Sequence, residues 1–144
     1  MASYLSYLQL TFQEEQLMEY SHKKLTVWQR AMELTDYVLD LTEQFPGKEQ
    51  YRLVDQMCRA VVSIPSNIAE GRGKGSDKEF IRYLLIARGS ACELDTQLLI
   101  SHKRNYINQQ QTQKACAMCY EITSMLTVLI ARLDKNNHWR TTKL

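Results

Sequence analysis

A run of glycines alternating with basic residues, GRGKGS at 71–76, is the first part of the sequence that could bind a phosphate group. A nucleotide-hydrolysing phosphate loop follows a strand and has Ser or Thr directly after its lysine, where the hydroxyl coordinates Mg²⁺. Here Lys74 is followed by Gly75, and we predict no strand before the run. The interpretation that remains is a helix start that binds a backbone phosphate of RNA or DNA beside Arg72, Lys74 and Lys78.

Cysteine chemistry is the second option, because Cys116 and Cys119 form a C-x-x-C pair among four cysteines. Redox pairs of this spacing usually lie at a helix start after a strand, where the helix dipole lowers the thiol pKa. This pair falls inside an apolar helical pattern, so we predict that it packs in the core. We predict no disulfide framework, redox site or zinc site.

Histidine and carboxylate spacing does not favour an enzyme. A dinuclear metal site in a helical bundle needs Glu-x-x-His on two helices and two further carboxylates. The sequence has one such pair, Glu19 and His22, and it precedes the predicted bundle. His102 and His138 lie near predicted helix ends, and no nucleophile–base arrangement can be argued from them. We therefore predict no catalytic residue, no metal site and no cofactor.

A polar stripe runs along the second predicted helix, where polar residues recur three or four positions apart and therefore share one face. We predict a contact between Arg59 and Glu93 on the third helix, completed by neighbouring hydroxyl and amide groups. We expect this network to set helix register and the surface between subunits, and a polar ligand site is the alternative. Its members are Arg59, Ser63, Asn67, Glu70, Ser90 and Glu93.

Four amphipathic segments must position these residues, because apolar side chains recur at helical spacing through most of the chain. The short connections between the segments favour an all-α, antiparallel up-down-up-down four-helix bundle. The predicted helices run from Thr26 to a stop at Pro46–Gly47, from about Lys48 to Glu70, from Ser76 to about Lys103, and from about Asn108 to Lys135.

Several local features are predicted at helix ends. Thr26 with Gln29, and Ser76 with Glu79, have the spacing of capping boxes. Residues 71–75 form the turn between the second and third helices, and Asn105 is a candidate left-handed cap.

Two residues inside the predicted helices break helical propensity. Pro65 should kink the second helix, because its ring removes one hydrogen-bond donor and collides with the preceding turn. Gly89 inside the third helix should be compensated by the close approach of another helix.

The remaining segments and the composition suggest a single bundle with two appendages. Residues 1–22 form an N-terminal extension of uncertain structure, residues 23–136 the bundle, and residues 137–144 a basic tail. The longest purely apolar runs are too short to cross a bilayer. The first basic residue is Lys23, so the start lacks the positive charge of a signal peptide. We expect a cytoplasmic protein with no membrane partner.

The charge is unevenly distributed, with −3 on residues 1–22 and +5 on the remainder. In the predicted topology the segments 23–30, 70–82 and 132–144 meet at one end, and together they carry +7. Such clustering is typical of a surface that binds phosphate groups. The candidate nucleic-acid-binding residues are Lys23, Lys24, Arg72, Lys74, Lys78, Arg82, Lys135 and Arg140.

Particular motifs resemble a known family. They are KLTVWQRAMELTDYVLDLT at 24–42, SIPSNIAEG at 63–71 followed by Ser76 and Glu79, and the A-x-G-S-x-x-E pattern at 87–93. Together they resemble the four-helix-bundle family of 23S ribosomal RNA intervening-sequence proteins, from about Lys24 to Leu133. Residues 1–20 lie outside the family pattern.

The resemblance implies a closed ring of bundles, typically a homopentamer, with no established enzymatic activity. The genes of the family often lie within ribosomal RNA insertions, which suggests association with RNA. A related bundle protein accompanies the reverse transcriptase of diversity-generating retroelements and binds it together with nucleic acid. We therefore expect a non-enzymatic oligomeric scaffold that associates with RNA or DNA through one basic end. The alternative is a protein–protein interaction module without nucleic-acid binding.

Overall fold

The computed structural model describes residues 21–135, and within this range it contains four long α-helices, two short 3-10 turns and no β-strand. The predicted all-α class with four helices is confirmed. The basic tail at 137–144 and nearly all of the extension at 1–22 lie outside the described residues. The helices are α1 (Thr26–Thr42), α2 (Leu53–Gly73), α3 (Asp77–Lys103) and α4 (Gln109–Leu133), and the 3-10 turns are His22–Lys24 and Gly47–Glu49.

One apolar core lies between the helices, because each helix turns a stripe of aliphatic side chains inward. α2 packs against α3, α3 packs against α4, and α1 packs against both α2 and α4. Thr35 on α1 donates a hydrogen bond to the Val61 carbonyl at 3.3 Å, and Arg88 on α3 donates to Thr127 on α4 at 3.3 Å. The largest fully buried side chains are Leu34, Met57, Ile64, Ile68, Leu84, Leu94, Leu98, Ile122, Leu126 and Ile130.

The predicted capping box at Thr26 is wrong. Thr26 is already the first residue of α1, and its N-cap, Leu25, makes no side-chain cap bond. The Gln29 amide instead donates to the Lys23 carbonyl at 2.8 Å, so it ties α1 to the preceding 3-10 turn. The Gln29 side chain therefore bonds to the Lys23 carbonyl and not, as the capping-box pattern predicts, to the helix end.

The starts of α3 and α4 have side-chain caps, whereas that of α2 has none. The Ser76 hydroxyl accepts a hydrogen bond from the Glu79 N–H at 3.2 Å, as predicted, while the Glu79 carboxylate pairs with Arg82 at 3.0 Å. A reciprocal capping box does form at the start of α4, between Asn108 and Gln111. Both orphan backbone donors are satisfied there, which fixes where α4 begins.

The boundaries of α2 differ from the predicted ones. Pro46 precedes a 3-10 turn, so the helix begins at Leu53 and not near Lys48. It continues to Gly73, through most of the predicted turn, and Gly75 (φ +78°) reverses the chain. Asn105 after α3 has φ +60°, which confirms the predicted left-handed residue.

The two glycines inside helices have opposite environments. A Cβ atom added to Gly89 would have nothing within 4 Å, so the predicted close approach at this residue is wrong within the chain. The close approach occurs at Gly71, where an added Cβ would lie 2.5 Å from the Tyr83 Cβ. Pro65 is buried inside an α2 that remains helical from Leu53 to Gly73.

Glu49 and Tyr106 join the α1–α2 connection to the α3–α4 connection at one end of the bundle. The Tyr106 hydroxyl donates to the Glu49 carboxylate at 3.0 Å, and Glu49 is only 4% exposed. The Tyr106 ring also packs on Phe45 with a centroid separation of 5.3 Å. The Gln44 amide donates to the Tyr106 carbonyl at 2.8 Å. This cluster closes the apolar core at that end.

α4 is long and apolar enough, by length and composition alone, to cross a membrane. The core helices of water-soluble bundles meet the same criteria. Here Ala115, Ile122 and Leu126 of this helix lie in the core with the aliphatic residues of the other three helices. Its apolar composition does not by itself indicate a membrane protein.

Candidate functional site

The connection between α2 and α3 places basic side chains on two aromatic rings. The Arg72 guanidinium lies 5.7 Å from the centre of the Phe80 ring. The Lys74 ammonium and the Arg82 guanidinium lie 5.7 Å and 4.5 Å from the Tyr83 ring. Cations are attracted to the negative faces of aromatic rings, so these contacts hold positive charge at the connection.

Tyr83 is itself fixed from two sides. Its hydroxyl donates to the Glu70 carboxylate at 3.2 Å, and its Cβ packs against Gly71. Glu70, predicted as a member of the polar network, therefore serves the α2–α3 connection. Because Gly71 has no side chain, Tyr83 can pack directly against α2. In this position its ring contacts the cationic groups of Lys74 and Arg82.

The basic residues of this region differ in how they are paired. Arg82 forms an ion pair with Glu79, and the hydrogen bond to that carboxylate raises the pKa of the guanidinium. Lys74 and Lys78 are exposed, and neither has an acidic partner within 4.0 Å among residues 21–135. These two ammonium groups, one directly after α2 and one in the first turn of α3, are therefore available to an anionic ligand.

The other predicted nucleic-acid-binding residues lie on separate elements. Lys23 and Lys24 are exposed on the first 3-10 turn, which packs against α2. Lys135 is exposed just beyond the end of α4, and Arg140 lies outside the described residues. We call Lys23, Lys24, Arg72, Lys74, Lys78, Arg82 and Lys135 the basic end.

A polar groove of about 320 Å³ separates α2 from α3 and is lined by Gln56, Arg59, Ala60, Ser63, Ser90 and Glu93. The Ser63 and Ser90 hydroxyls are 2.9 Å apart. The Asn67 amide donates to both the carbonyl and the hydroxyl of Ser63, at 2.8 and 2.9 Å. The structure thus contains a hydrogen-bonded Ser63–Asn67–Ser90 cluster that joins the two helices.

The predicted Arg59–Glu93 contact does not form. Arg59 pairs with Asp55 at 3.0 Å, one turn earlier on the same helix. Glu93 accepts from the Gln97 amide at 3.2 Å on its own helix. Both charged residues line the polar groove, but each is paired locally. The Gln97 Oε1 atom is buried without a partner, the one such side-chain oxygen or nitrogen among residues 21–135.

The C-x-x-C pair lies on α4 and is unsuited to redox chemistry. Burial, reinforced by the Asp95 carboxylate nearby, raises the pKa of Cys116 to about 12. Burial also raises the pKa of Cys119, which packs in the core. The thiolate is the reactive form, so both sulfurs are inert near neutral pH. Within residues 21–135 no group of three or more His, Cys, Asp or Glu side chains is placed to hold a metal ion.

An exposed face of α3 is the feature that sequence reasoning missed. Leu99 falls within the helical apolar spacing of α3, which predicts an inward-facing side chain, but it is 53% exposed. The face consists of two rows of residues seven positions apart, with Gly89 and Thr96 between the rows. The seven-residue spacing of Leu85, Cys92 and Leu99 is the signal that could have found it. We call this the α3 face: Leu85, Cys92 and Leu99 in one row, and Ile86, Glu93 and Ile100 in the other.

Comparison with known proteins gives a family and a fold. The family model described as 23S rRNA-intervening sequence protein matches residues 23–128. A crystal structure from Bacteroides thetaiotaomicron, of a protein with unknown function from the S23 ribosomal protein family, superposes with a TM-score of 0.69. The two chains share 24% sequence identity, and the match covers 73% of this chain and 98% of the other. At that identity the structural similarity shows the fold alone. No match was found among curated proteins.

Proposed function

Because this chain belongs to the 23S rRNA-intervening sequence protein family, we propose that it is a non-enzymatic scaffold that self-associates and holds RNA or DNA at its basic end. The observation that carries the proposal is the pair of exposed lysines at the α2–α3 connection, Lys74 directly after α2 and Lys78 in the first turn of α3. They stand beside Arg72 and Arg82, which lie over aromatic rings. Nucleic-acid backbones are bound mainly through such clustered positive charge.

The proposed topology is the antiparallel up-down-up-down bundle. It is supported by pairs of contacts along neighbouring helices. Between α1 and α2, Thr35 contacts Val61 and Thr42 contacts Cys58. Residue numbers in the contacts rise along α1 as they fall along α2, as expected for antiparallel helices. On α2 and α3, Ser63 contacts Ser90 and Met57 contacts Ser101 with the same sense. In this topology the start of α1, the α2–α3 connection and the end of α4 share one end.

Self-association through the α3 face is the second part of the proposal. The Leu99 and Ile100 side chains are 53% and 45% exposed. Leu85 and Ile86, two heptads earlier in α3, are exposed on the same face. Gly89 between the rows has nothing within 4 Å in its own chain, which leaves room for a helix of another copy. Leu85, Cys92 and Leu99 recur every seven residues, a spacing suited to helix–helix packing. A closed ring, typically of five copies in the family, is the assembly that we propose.

The experiment that tests nucleic-acid binding measures affinity for single-stranded RNA and DNA over a range of salt concentrations. The double variant Lys74→Glu/Lys78→Glu should bind roughly tenfold or more weakly, and its log–log salt slope should fall by about 1.4, because two phosphate contacts are lost. The matched control is Lys48→Glu/Lys103→Glu, which makes the same charge change at exposed positions away from the basic end. Equal affinity and slope in the two variants would remove the basic end as the binding surface.

A protein-interaction module without nucleic-acid binding is the second candidate. The exposed apolar side chains of the α3 face favour it, because apolar surface of this kind is typical of contacts between proteins. Recovery of bound partners from the native cell, with and without nuclease treatment, separates the two functions. Partners that are lost after nuclease treatment support the scaffold on nucleic acid, and partners that remain support the interaction module. We propose a cytoplasmic location for either function.

A further inference from the structure

An apolar groove of about 420 Å³ lies between the start of α1 and the second half of α4. Val128, on its wall, is 49% exposed, and Met125 and Leu129 are partly buried against the core. Arg132 is the one charged residue that lines this groove, and it has no acidic partner within 4.0 Å among residues 21–135. The apolar groove therefore presents one exposed guanidinium group within a mainly apolar lining.

The α3 face carries the complementary pattern. Glu93 is exposed in the row between Ile86 and Ile100, and it is the one charged member of the face. Its carboxylate accepts a hydrogen bond from the neutral Gln97 amide, and no basic group of the described part of the chain lies within 4.0 Å of it. One carboxylate therefore stands within an apolar face, as one guanidinium stands within the apolar groove.

The two surfaces lie on different sides of the bundle. Glu93 also lines the polar groove between α2 and α3, so the α3 face borders α2. The apolar groove borders α1 and α4, and the two surfaces share no residue. One copy can therefore present both surfaces at once. A closed ring requires this, because each subunit of a ring contacts its two neighbours through two different patches.

We propose that the apolar groove receives the α3 face of a second copy of this chain, with Arg132 of one copy paired to Glu93 of the next. The inference rests on the proposed self-association and names the surface that the α3 face meets. Apolar side chains of α3 then cover Val128 and its neighbours, and two charges without an ion-pair partner in their own chain gain one across the interface. A charge pair inside an apolar contact fixes the register and the direction of assembly.

Charge exchange on the full chain tests the pairing. Glu93→Arg and Arg132→Glu each bring like charges together in the interface, so each should raise the concentration of half-assembly about thirtyfold or more. The double variant Glu93→Arg/Arg132→Glu restores the pair with its charges exchanged and should return this concentration to within about threefold of the wild type. Sedimentation velocity with fluorescence detection measures it. A double variant that assembles no better than either single variant would overturn the proposal.

Matched charge reversals outside both surfaces are the controls. Glu43→Arg and Lys48→Glu make the same charge changes at exposed positions in the α1–α2 connection. Both should assemble like the wild type, and circular dichroism confirms the folding of every variant. Equal weakening in the controls would show a general effect of charge and would contradict the assignment of Arg132 and Glu93 to one contact.

The direction of assembly is tested through Cys92, an exposed thiol of the α3 face. Val128→Cys places a second thiol in the apolar groove, and a short bismaleimide should then join successive copies into dimers, trimers and larger species on a denaturing gel. The wild type and Val128→Cys/Cys92→Ser should give no such ladder. Dimers alone would mean that two α3 faces pair about a two-fold axis. That result, or no crosslinking between chains, would overturn the proposal.

Failure of this pairing and failure of the proposed self-association give different results. A wild-type chain that sediments as a monomer removes both. A wild-type chain that assembles, with a double charge variant that stays dissociated, removes the pairing of the α3 face with the apolar groove and leaves self-association in place.

Discussion

Gly71 packs directly against Tyr83, so closely that a Cβ atom at Gly71 would lie 2.5 Å from the Tyr83 Cβ. The contact brings α2 and α3 together beside Arg72 and Lys74 of the basic end. The tyrosine ring then supports Lys74 and Arg82, and its hydroxyl reaches Glu70. The absence of a side chain at Gly71 therefore lets Tyr83 contact Lys74, Arg82 and Glu70.

Replacing Gly71 with alanine should destabilise the protein. The methyl group collides with Tyr83, which is fixed on its other side, so we expect a loss of about 1–3 kcal/mol in the free energy of unfolding. Urea denaturation followed by circular dichroism measures it. Gly73→Ala is the matched control, because Gly73 also lies in α2 and an added Cβ there meets nothing within 4 Å. It should leave unfolding unchanged or raise stability by up to about 1 kcal/mol. Similar losses in both variants would contradict the close approach at Gly71.

The buried Glu49–Tyr106 hydrogen bond should contribute to stability at the opposite end of the bundle. Tyr106→Phe removes one donor to a carboxylate that is 4% exposed and that also pairs with Arg52 at 3.5 Å. Bonds to charged groups are worth about 1.5–3 kcal/mol. Denaturant unfolding should show a loss of that size. Tyr51→Phe, at a side chain that is 92% exposed, removes the same hydroxyl and should have no effect. A loss under about 0.5 kcal/mol for Tyr106→Phe would mean that the buried carboxylate finds another donor.

Self-association should depend on the α3 face. Leu99→Glu places a charge in one of its apolar rows and should dissociate the assembly toward monomers, as measured by sedimentation velocity at micromolar concentration. Labelling of the exposed Cys92 by a thiol reagent should accelerate in parallel, because this thiol lies in the same row. Gln113→Glu, at an exposed position of α4, provides the charge control. A wild-type chain that sediments as a monomer would rule out the ring.

Stability should fall at alkaline pH because of the buried thiols. Cys116 has a pKa of about 12 in the folded protein against 9.0 for an ordinary thiol, mainly because burial disfavours the thiolate. The unfolded chain therefore loses this proton first, so the contribution is complete below about pH 9 and is lost as pH rises toward 12. Cys116→Ala should show a shallower decline between pH 8 and pH 11 in urea unfolding. Ser66→Ala, which removes no thiol, should decline like the wild type, and an equal decline in all three would contradict the assignment.

The number of helices and the approximate extent of α1, α3 and α4 could be predicted because apolar spacing decides which face is buried, and burial dominates the energetics of a bundle. Asn105 was predictable because few residues accept a positive φ. The Thr26 cap failed because the Gln29 amide found the Lys23 carbonyl instead. Sequence patterns identify which side chains can donate a hydrogen bond, but the neighbouring segments of the folded chain determine which acceptor each side chain reaches.

The candidate site was harder to predict than the fold. Arg59 and Glu93 line the same groove, yet Asp55 lies one turn from Arg59 and pairs with it at a smaller entropic cost than a partner on another helix. The predicted close approach at Gly89 failed because a sequence does not say whether a helical glycine faces a neighbour in the same chain or in another copy. Within this chain an added Cβ at Gly89 meets nothing within 4 Å. The aromatic support of the basic end depends on Gly71, whose role is visible only in three dimensions.

The composition of α4 has a consequence for biosynthesis. It is the last of the four helices to leave the ribosome, and until it emerges the apolar stripes of α1 and α3 that it covers stay open to solvent. Its own length and hydropathy match those of a membrane-spanning segment. A chain stalled or truncated before Gln109 should therefore expose the apolar surface that α4 covers in the complete protein. Packing of α4 against α1 and α3 removes both that surface and the apolar side of α4 itself from water.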